Sequence, residues 1–314
     1  MKKKIKILIT GGAGYIGSVM SSVLLHKGFA VTVLDNFIYR QTSLLDICWH
    51  EDFKIVVGDV RDCVLMNNQI KLHDVIIPLA AIVGAPACKK DVDLTVQVNL
   101  ESIRELVKNT SHSQIVLFPV TNSGYGIGEK DVYCDEQTEL NPISLYGKTK
   151  VEAEKVILEK GNAITYRLAT VFGSSPKMRT DLLVNDFVYR AYTDKFIVLF
   201  ESHFKRNYIH IRDVANVFLH GFKNFDQMKG EAYNVGLSDA NLSKLELCNK
   251  IKKHVNNFVV FESDLSEDPD KRDYIVSNKK IENTGWKTKY SIDNGIKELI
   301  KLYNFLKLNQ HANF

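Results

Sequence analysis

The stretch Thr10-Gly11-Gly12-Ala13-Gly14-Tyr15-Ile16-Gly17 decides the fold of this chain of 314 residues. It joins an apolar, β-branched run at residues 5–10 to an amphipathic, helical run at residues 15–27. With this spacing, Gly11 permits the tight turn, Gly14 lets the backbone approach a pyrophosphate, and Gly17 lets helix and strand pack closely. The helix N-terminus adds N–H groups and partial positive charge. We therefore predict a dinucleotide-binding turn that includes Tyr15 and Ile16.

A carboxylate follows at the end of the next predicted strand. Asp35 ends the run at residues 30–35, eighteen residues beyond Gly17, and Asn36 comes directly after it. A carboxylate at this point accepts hydrogen bonds from ribose hydroxyls and repels a 2′-phosphate. Asp35 therefore favours NAD over NADP, and Asn36 is expected to line the same site.

Two later strand ends complete the predicted cofactor site. Asp59 follows the strand expected at residues 53–58 and is placed to receive the adenine amino group, with Val60 beside it. The small residues Leu79-Ala80-Ala81 follow the strand expected at residues 74–78. Because the carboxyl ends of parallel strands share one edge of a sheet, these segments are expected to lie along the cofactor.

Strands and helices alternate through the first half of the chain. After the strands already described, residues 115–119 and 163–170 are expected to be strands, and one apolar stripe marks a long helix: Val92, Val96, Leu100, Ile103 and Val107. The strand runs are apolar throughout, which is typical of a sheet covered on both faces. The alternation predicts an α/β fold, a Rossmann doubly wound parallel sheet with right-handed crossovers.

The pattern changes after residue 170. Short strands expected at residues 196–200 and 257–261 mix with helices, and a terminal helix has one apolar face: Ile292, Ile296, Leu299, Tyr303 and Leu306. We therefore expect residues 1–170 to form an NAD-binding domain and residues 171–314 a smaller C-terminal α/β lobe, some of whose segments return to the first domain.

A tyrosine and a lysine stand four residues apart in a helix expected to open at Asn141-Pro142. Tyr146 and Lys150 share one helical face. Free tyrosine titrates near pH 10, so a tyrosine base needs help at neutral pH. An adjacent ammonium and the positive nicotinamide ring favour the phenolate. We predict that Tyr146 is the catalytic base, and that Lys150 supports it and binds the nicotinamide ribose.

Composition restricts the partners and the compartment. The chain is 45% hydrophobic and 25% charged, with 41 Lys+Arg against 37 Asp+Glu and a net charge of +4, which is too small a surplus to favour a nucleic-acid partner. Its 5 cysteines are scattered without a C-x-x-C, so neither a disulfide framework nor a zinc site is expected, and no other metal-ligand spacing occurs. The apolar run after the first lysines is too short for an export signal or a membrane span. A cytoplasmic protein without membrane contact is expected.

Taken together, these motifs resemble the extended short-chain dehydrogenase/reductase family, in its nucleotide-sugar epimerase/dehydratase branch. The resemblance covers nearly the whole chain and rests on the glycine turn, Asp35, Asp59, Asn99, a Ser/Thr motif before Tyr125-Gly126, Tyr146, Lys150 and Arg206-Asn207-Tyr208-Ile209-His210. It implies strand order 3-2-1-4-5-6, a C-terminal lobe that holds a sugar nucleotide, and Asn99 in the cofactor site. It also implies a homodimer through the helices near residues 92–107 and 146–159.

The family's third catalytic residue is a Ser or Thr four positions before the tyrosine of its Tyr-Gly pair. That position is Thr121, whose hydroxyl would bond the reacting sugar oxygen, and Ser123 is the competing candidate. Dehydratases of this branch resemble one another in an Asp-Glu or Ser-Glu pair directly after that residue, where this chain has Asn122 and Ser123 and no carboxylate. Fucose-synthase-like epimerases carry a cysteine where this chain has Ser123. Both chemistries are therefore disfavoured, and Asn122 and Ser123 are expected to contact substrate.

Hydride transfer at a single carbon remains, as oxidation at C4, as C4 epimerisation through a transient ketone, or as reduction of a ketone. Four segments, residues 79–86, 121–129, 178–187 and 268–278, resemble capsule-pathway dehydrogenases that oxidise C4 of GDP-D-glycero-α-D-manno-heptose with NAD. The resemblance implies this nucleotide-diphosphate sugar as substrate, with C4 epimerisation of a nucleotide sugar as the alternative.

Basic and amide side chains of the second half are the candidates for holding the substrate. Arg206 matches the family's phosphate arginine, and Arg206 and Arg272 are the expected diphosphate clamps, because a guanidinium suits phosphate oxygens. Arg179 and Asn185, in the variable loop after the sixth strand, are candidate contacts to the nucleotide or its sugar. His210 is expected to start a helix rather than to act in catalysis.

Overall fold

The structure, a computed structural model, describes residues 4–129, 131–265 and 272–306. Its strands are β1 Lys6–Thr10, β2 Ala30–Asp35, β3 Phe53–Val57, β4 Val75–Pro78, β5 Ile115–Thr121, β6 Tyr133–Cys134, β7 Ala163–Leu168, β8 Thr170–Phe172, β9 Phe196–Leu199, β10 Lys205–His210, β11 Glu231–Val235, β12 Asn241–Ser243, β13 Val259–Glu262 and β14 Ile275–Val276. Its α-helices are α1 Tyr15–His26, α2 Cys63–Lys71, α3 Ala85–Lys90, α4 Val92–Val96, α5 Ser102–Asn109, α6 Leu145–Glu159, α7 Leu183–Thr193, α8 Ile211–Lys223, α9 Phe225–Met228, α10 Lys244–Lys252, α11 Lys279–Asn283 and α12 Ile292–Tyr303. Within these ranges, no helix has the length and apolar character that a bilayer crossing requires.

A seven-stranded parallel sheet organises the molecule. Its order is β3-β2-β1-β4-β5-β7-β11. The expected α/β doubly wound fold is confirmed. The expected order 3-2-1-4-5-6 is confirmed as well, with β7 as the sixth strand of this sheet and β11 added as a seventh. Thr10 at the end of β1 pairs with Leu34 on one side and Pro78 on the other. The strand ends that carry the predicted cofactor residues are therefore level with one another at the carboxyl edge of the sheet.

Strand β3 corrects one expectation. Its sequence looks apolar enough for burial on both faces, yet Ile55 is 41% and Val57 is 73% exposed. The reason is its place in the sheet: β3 pairs only with β2 and forms the edge, where one side has no neighbouring strand.

Two helices differ in detail from the prediction. The helix that carries Tyr146 begins at Leu145, because the Ser144 side chain accepts the Gly147 N–H at 3.1 Å and caps it, rather than at the Asn141-Pro142 pair. The long helix predicted over residues 92–107 forms as α4 and α5 joined by a π-helical turn over Gln97–Glu101. An i→i+5 turn widens the helix and shifts the side chains that follow.

The later part of the chain contributes both to the sheet layer and to a second lobe. Helix α8 packs against α1, and β11 joins the large sheet, although both lie beyond residue 170. His210 begins α8 as expected, since its side chain accepts the Arg212 N–H. The second lobe contains three small sheets, β12-β10-β8, β13-β9 and β14-β6.

Helices α5 and α6, which lie within the segments expected to form a homodimer, bury apolar side chains inside the monomer. Ile103, Leu106, Ala153 and Ile157 are all at most 3% exposed and pack with sheet residues in one core cluster. The outer faces of α5 and α6 instead carry charged pairs. The homodimer stays a prediction that rests on the family resemblance.

A buried ion pair fixes helix α6 on the sheet. Glu154 on α6 and Arg167 on β7 are 2% and 7% exposed, and a guanidinium nitrogen lies 3.0 Å from the carboxylate. Thr165 Oγ1 donates to the same carboxylate at 2.7 Å. The pair holds the helix that carries Tyr146 and Lys150 in a single orientation.

We predict that Glu154→Ala lowers the free energy of unfolding by about 3–5 kcal/mol, because it leaves the Arg167 charge buried and unpaired. The matched control is Glu152→Ala on the exposed face of the same helix, where the ion pair with Lys155 lies in solvent and contributes about 0–1 kcal/mol. Urea unfolding measures both. Equal losses in the two variants would contradict a structural role for the buried pair.

Candidate functional site

One cavity of about 1000 Å³ lies at the carboxyl edge of the sheet, between the first half of the chain and the second lobe. Most predicted site residues line it: Gly11, Gly14, Tyr15, Ile16, Gly17, Asp35, Asn36, Asp59, Val60, Leu79, Ala80, Ala81, Thr121, Ser123, Tyr146, Lys150, Arg179, Arg206 and Arg272. The structure therefore brings residues from both halves of the chain, more than 250 positions apart at the extremes, into a single site.

The glycine turn has the close backbone contacts that the motif predicts. Gly11 has φ +69°, and a Cβ there would lie 2.6 Å from the Ala80 backbone. A Cβ on Gly17 would lie 2.5 Å from Gly12 Cα, whereas at Gly14 the nearest atom would be at 3.1 Å. Helix α1 begins at Tyr15, and Gly14, which precedes it, offers no side chain to cap its N-terminus. The cradle is therefore formed by bare backbone, with helix N–H groups directed at the cavity, and it fits a dinucleotide pyrophosphate.

Asp35 serves the turn as well as the cavity. Its carboxylate accepts the Ala13 N–H at 3.0 Å and the Phe37 N–H at 2.8 Å. Burial raises the pKa of this carboxyl, and the hydrogen bonds to Phe37 and Ala13 oppose that shift. The carboxylate lines the cavity at the end of β2, where a ribose would meet it.

Asp59 is held by its neighbour Arg61. The guanidinium donates to both carboxylate oxygens at 2.9 Å, and this hydrogen bonding lowers the pKa of Asp59 to about 2. Asn36 donates to the same carboxylate at 3.3 Å. Asp59 is therefore a fixed anionic acceptor at the outer end of the cofactor cradle.

Tyr146 and Lys150 face the cavity from α6 under opposing influences. Burial raises the pKa of Tyr146 to about 12, with a further rise from Cys88, while the charges of Arg179 and Arg272 lower it. Burial lowers the pKa of Lys150 to about 7, against the opposing charge of Glu154. The Lys150 ammonium lies 3.8 Å from the centre of the Phe118 ring. Lys150 was expected to lower the pKa of Tyr146. Instead the pKa of Tyr146 is raised, because burial is the largest influence on the pKa of both residues.

A hydrogen-bonded group lies beside this pair at the end of β5. Thr121 Oγ1 donates to Ser123 Oγ at 2.9 Å and accepts the Ser123 N–H at 3.1 Å. Arg272 donates to the same Ser123 hydroxyl. Arg272 was predicted as a diphosphate clamp, and in this structure it binds at the reacting end of the cavity.

The other two arginines occupy different settings. Arg206 is 2% exposed and lines the cavity, with its guanidinium 5.7 Å from the Tyr274 ring. A cation this deeply placed suits a buried phosphate. Arg179 forms a bidentate pair with Asp181, with its Nε 2.7 Å from one carboxylate oxygen, so the two together present little net charge to a ligand.

Three predicted contacts lie outside the cavity wall. Asn99 bonds both backbone groups of Ile82, at 2.8 and 3.0 Å, and so supports the loop after β4. The Asn185 side chain is buried and bonds Gly173, Arg179 and Tyr15. Asn122 is 1% exposed. Direct contact of these three side chains with a ligand stays a prediction.

Tyr39 and Lys177 are among the cavity residues that the sequence analysis did not name. Tyr39 comes from the loop after Asp35, and Lys177 comes from the loop that carries Arg179. The Lys177 ammonium lies 5.3 Å from the centre of the Tyr39 ring, so the pair bridges the two halves across the cavity. In the sequence, the only sign that Lys177 belongs to the site is that it lies two residues before Arg179.

Of the resembling segment 268–278, residues 268–271 lie outside the described residues.

Comparisons with known proteins agree with this geometry. The model of the NAD dependent epimerase/dehydratase family matches residues 7–236. CDP-paratose 2-epimerase from Salmonella typhi is 25% identical, covering 94% of this chain and 98% of that protein. UDP-glucuronic acid 4-epimerase from Bacillus cereus superposes with a TM-score of 0.82 at 22% identity, covering 96% and 99% of the two chains. dTDP-glucose 4,6-dehydratase from Bacillus anthracis superposes with a TM-score of 0.81 at 21% identity, covering 96% of each chain.

The fold and the site define a nucleotide-dependent enzyme of the short-chain dehydrogenase/reductase type. This chain belongs to the NAD dependent epimerase/dehydratase family. NAD is its cofactor, and the glycine cradle, Asp35 and Asp59 are the groups placed to hold it.

We predict that Asp35→Asn weakens NAD binding about tenfold, or ~1.4 kcal/mol, and narrows the preference over NADP, because the variant loses a charged ribose acceptor that repels a 2′-phosphate. Calorimetric titration with NAD and NADP measures both dissociation constants. Asp46→Asn, at an exposed position outside the cavity wall, is the matched control. An unchanged ratio of the two constants would mean that another residue selects the cofactor.

We predict that Lys150→Met raises the melting temperature at pH 7.5 by roughly 2–4 °C, while turnover is lost. The folded pKa of Lys150 is about 7 against 10.5 when unfolded. Between these values the unfolded chain binds the extra proton, so wild-type stability falls as the pH drops from 10.5 toward 7.

The gain in the variant should therefore shrink as the pH rises toward 10.5. Thermal unfolding across this range measures it. Lys148→Met, at an exposed position of the same helix, should show no such pH-dependent difference. A gain in melting temperature that does not change with pH would show that burial does not lower the pKa of Lys150 in the folded protein.

Proposed function

We propose that this enzyme oxidises the C4 hydroxyl of a nucleotide-diphosphate sugar with NAD. The observation that carries the proposal is the joint placement, around one cavity, of the glycine cradle, the Tyr146–Lys150 pair and the buried Arg206. A dinucleotide at the cradle and a diphosphate at Arg206 would both direct their reactive ends toward Tyr146. Such convergence is what hydride transfer between two bound molecules requires.

Tyr146 acts as the base on the sugar hydroxyl in this proposal. Its high pKa in the isolated protein means that the phenolate must be favoured by positive charge brought into the cavity. NAD, held by the glycine cradle, Asp35 and Asp59, would supply a positive nicotinamide ring and an acceptor for the hydride from C4. Arg179 and Arg272 add to the same effect, because their charges already lower the Tyr146 pKa.

Lys150 has two tasks in this arrangement. Its ammonium donates hydrogen bonds, and a ribose hydroxyl of the cofactor is the acceptor that its position on α6 suits. Its own pKa of about 7 makes it a group that gains or loses a proton near neutrality, so it can pass on the proton that Tyr146 receives. Phe118 stabilises the protonated form beneath it.

The residues after Thr121 favour a reaction at one carbon. Removal of water from C5 and C6 of the sugar needs an acid and a base next to these carbons. By the family resemblance, dehydratases have an Asp-Glu or Ser-Glu pair at the positions of Asn122 and Ser123. Neither Asn122 nor Ser123 can take up or release a proton near neutral pH. Oxidation at C4, or epimerisation through the 4-ketone, needs only the Tyr146 base and the cofactor.

GDP-D-glycero-α-D-manno-heptose is the substrate we propose, in a capsular polysaccharide pathway. Its support is the resemblance of four segments to capsule-pathway dehydrogenases, two of which, residues 79–86 and 178–187, supply cavity residues. C4 epimerisation of a nucleotide sugar is the second candidate. Its support is the similarity to UDP-glucuronic acid 4-epimerase and to UDP-glucose 4-epimerase from Lactobacillus helveticus, which is 24% identical.

The proposal is tested by incubating the purified protein with NAD and a panel of nucleotide sugars that includes GDP-D-glycero-α-D-manno-heptose. Nicotinamide absorbance and NMR of the products are followed together. We expect a 4-keto sugar with matching reduction of NAD. A C4 epimer without net reduction would favour the second candidate, and no change with any sugar would exclude both.

We predict that Tyr146→Phe lowers kcat by about 10²- to 10⁴-fold, because the base is removed, while the Kd for NAD is unchanged. Steady-state kinetics and calorimetry measure the two effects. The control is Tyr133→Phe, since Tyr133 is 56% exposed and lies outside the cavity wall. Unchanged turnover in the Tyr146 variant would refute the proposed mechanism.

A further inference from the structure

The hydroxyl groups at the end of β5 differ in the hydrogen bonds that remain open to a ligand. A serine or threonine hydroxyl has one proton to donate and two lone pairs that accept. Thr121 uses its proton on Ser123 Oγ at 2.9 Å and one lone pair on the Ser123 N–H at 3.1 Å. Thr121 can therefore only accept one further hydrogen bond in this arrangement.

Ser123 has the opposite inventory. Its oxygen accepts from Thr121 Oγ1 and from the guanidinium of Arg272, which accounts for both lone pairs. Its own proton has no acceptor within the described ranges, and the residue lines the cavity. The one hydrogen bond that Ser123 can still form is thus a donation into the cavity.

The reaction at C4 needs a donor at this place. As Tyr146 removes the hydroxyl proton, negative charge develops on the C4 oxygen, and a donor aimed at that oxygen stabilises the transition state. A group that can only accept cannot do so. A hydroxyl that itself accepts from a guanidinium is a stronger donor, because its oxygen is polarised by the positive charge.

We propose that Ser123, rather than Thr121, is the hydroxyl that donates to the reacting C4 oxygen, with Thr121 and Arg272 as the positioning residues that hold its oxygen and free its proton. This inference rests on the proposed function, since it assigns a role within that reaction. It gives Ser123 the role that the family pattern assigns four positions before Tyr125. It also moves Arg272 from the diphosphate to the reacting end of the substrate.

Single variants separate the two hydroxyls. We expect Ser123→Ala to lower kcat/KM by about 10²- to 10³-fold, the loss typical of one oxyanion donor. Thr121→Val keeps the shape and loses only support to Ser123, so a loss of about tenfold is expected, and the double variant should fall no further than Ser123→Ala. Ser111→Ala, at an exposed site away from the cavity, is the control. A larger loss in Thr121→Val than in Ser123→Ala overturns the assignment.

Arg272→Gln tests the positioning role of Arg272. Its effects on kcat and on the Kd for GDP distinguish this role from that of a diphosphate clamp. We expect kcat to fall while the Kd for GDP is unchanged, because the guanidinium acts at the reacting end, on Ser123 and on the pKa of Tyr146. A weaker Kd for GDP with unchanged kcat overturns this role and restores the clamp.

Binding keeps the test independent of turnover. Calorimetry in the presence of NAD gives the Kd for GDP and the Kd for GDP-mannose, in wild type and in Ser123→Ala. The ratio of the two constants measures how much the sugar adds to the affinity. We expect this contribution to fall in the variant while the Kd for GDP is unchanged. An equal ratio in both proteins would overturn the proposed contact between Ser123 and the sugar. An inactive wild type would refute the proposed function alone, because this comparison still decides the contact of Ser123.

Discussion

The bond between the Tyr15 hydroxyl and the Gly173 carbonyl, at 2.6 Å, ties the cofactor turn to the second lobe. Asn185 completes the link: it donates to the Tyr15 hydroxyl and to the Arg179 carbonyl and accepts the Gly173 N–H. These groups are buried, so each bond that failed to form would leave a polar atom without water or partner. The distance between the glycine cradle and the Arg179 loop is therefore fixed before any ligand binds, and the cavity between them depends on it.

Within that fixed cavity, burial and chemistry oppose each other at Tyr146 and Lys150. Burial disfavours the charged forms of both, which is why one pKa rises and the other falls. A reaction that begins with a tyrosine phenolate needs the reverse for Tyr146. The charges of Arg179 and Arg272 offset part of the rise in the Tyr146 pKa. Under the proposed function, the nicotinamide ring of bound NAD would add a further positive charge, and the phenolate would be favoured only in the filled site.

Local spacing explains why part of this site could be predicted from the sequence. The glycine turn, Asp35 and the Tyr146–Lys150 pair each depend on neighbours within one strand–turn–helix unit or one helical turn, so the residue types alone indicate their roles. The exposure of β3 depends on its place at the end of the sheet order. Asn185 depends on Tyr15, 170 positions away. Arg272 meets Ser123 across 149 positions. Contacts between residues so far apart in the sequence arise from the fold as a whole, and the local spacing of residues does not indicate them.

Asn122 stands at a position where, by the family resemblance, dehydratases carry Asp or Ser. Asparagine has nearly the size and shape of aspartate, so the exchange leaves the local packing intact. Both polar atoms of its amide are buried, and neither has a hydrogen-bond partner among residues 4–129, 131–265 and 272–306. A carboxyl group in such a place would keep its proton to high pH. An amide has no such proton to exchange, and the cost of burying it unsatisfied is about 1–3 kcal/mol. Asn122 therefore adds no titratable group next to Thr121 and Ser123.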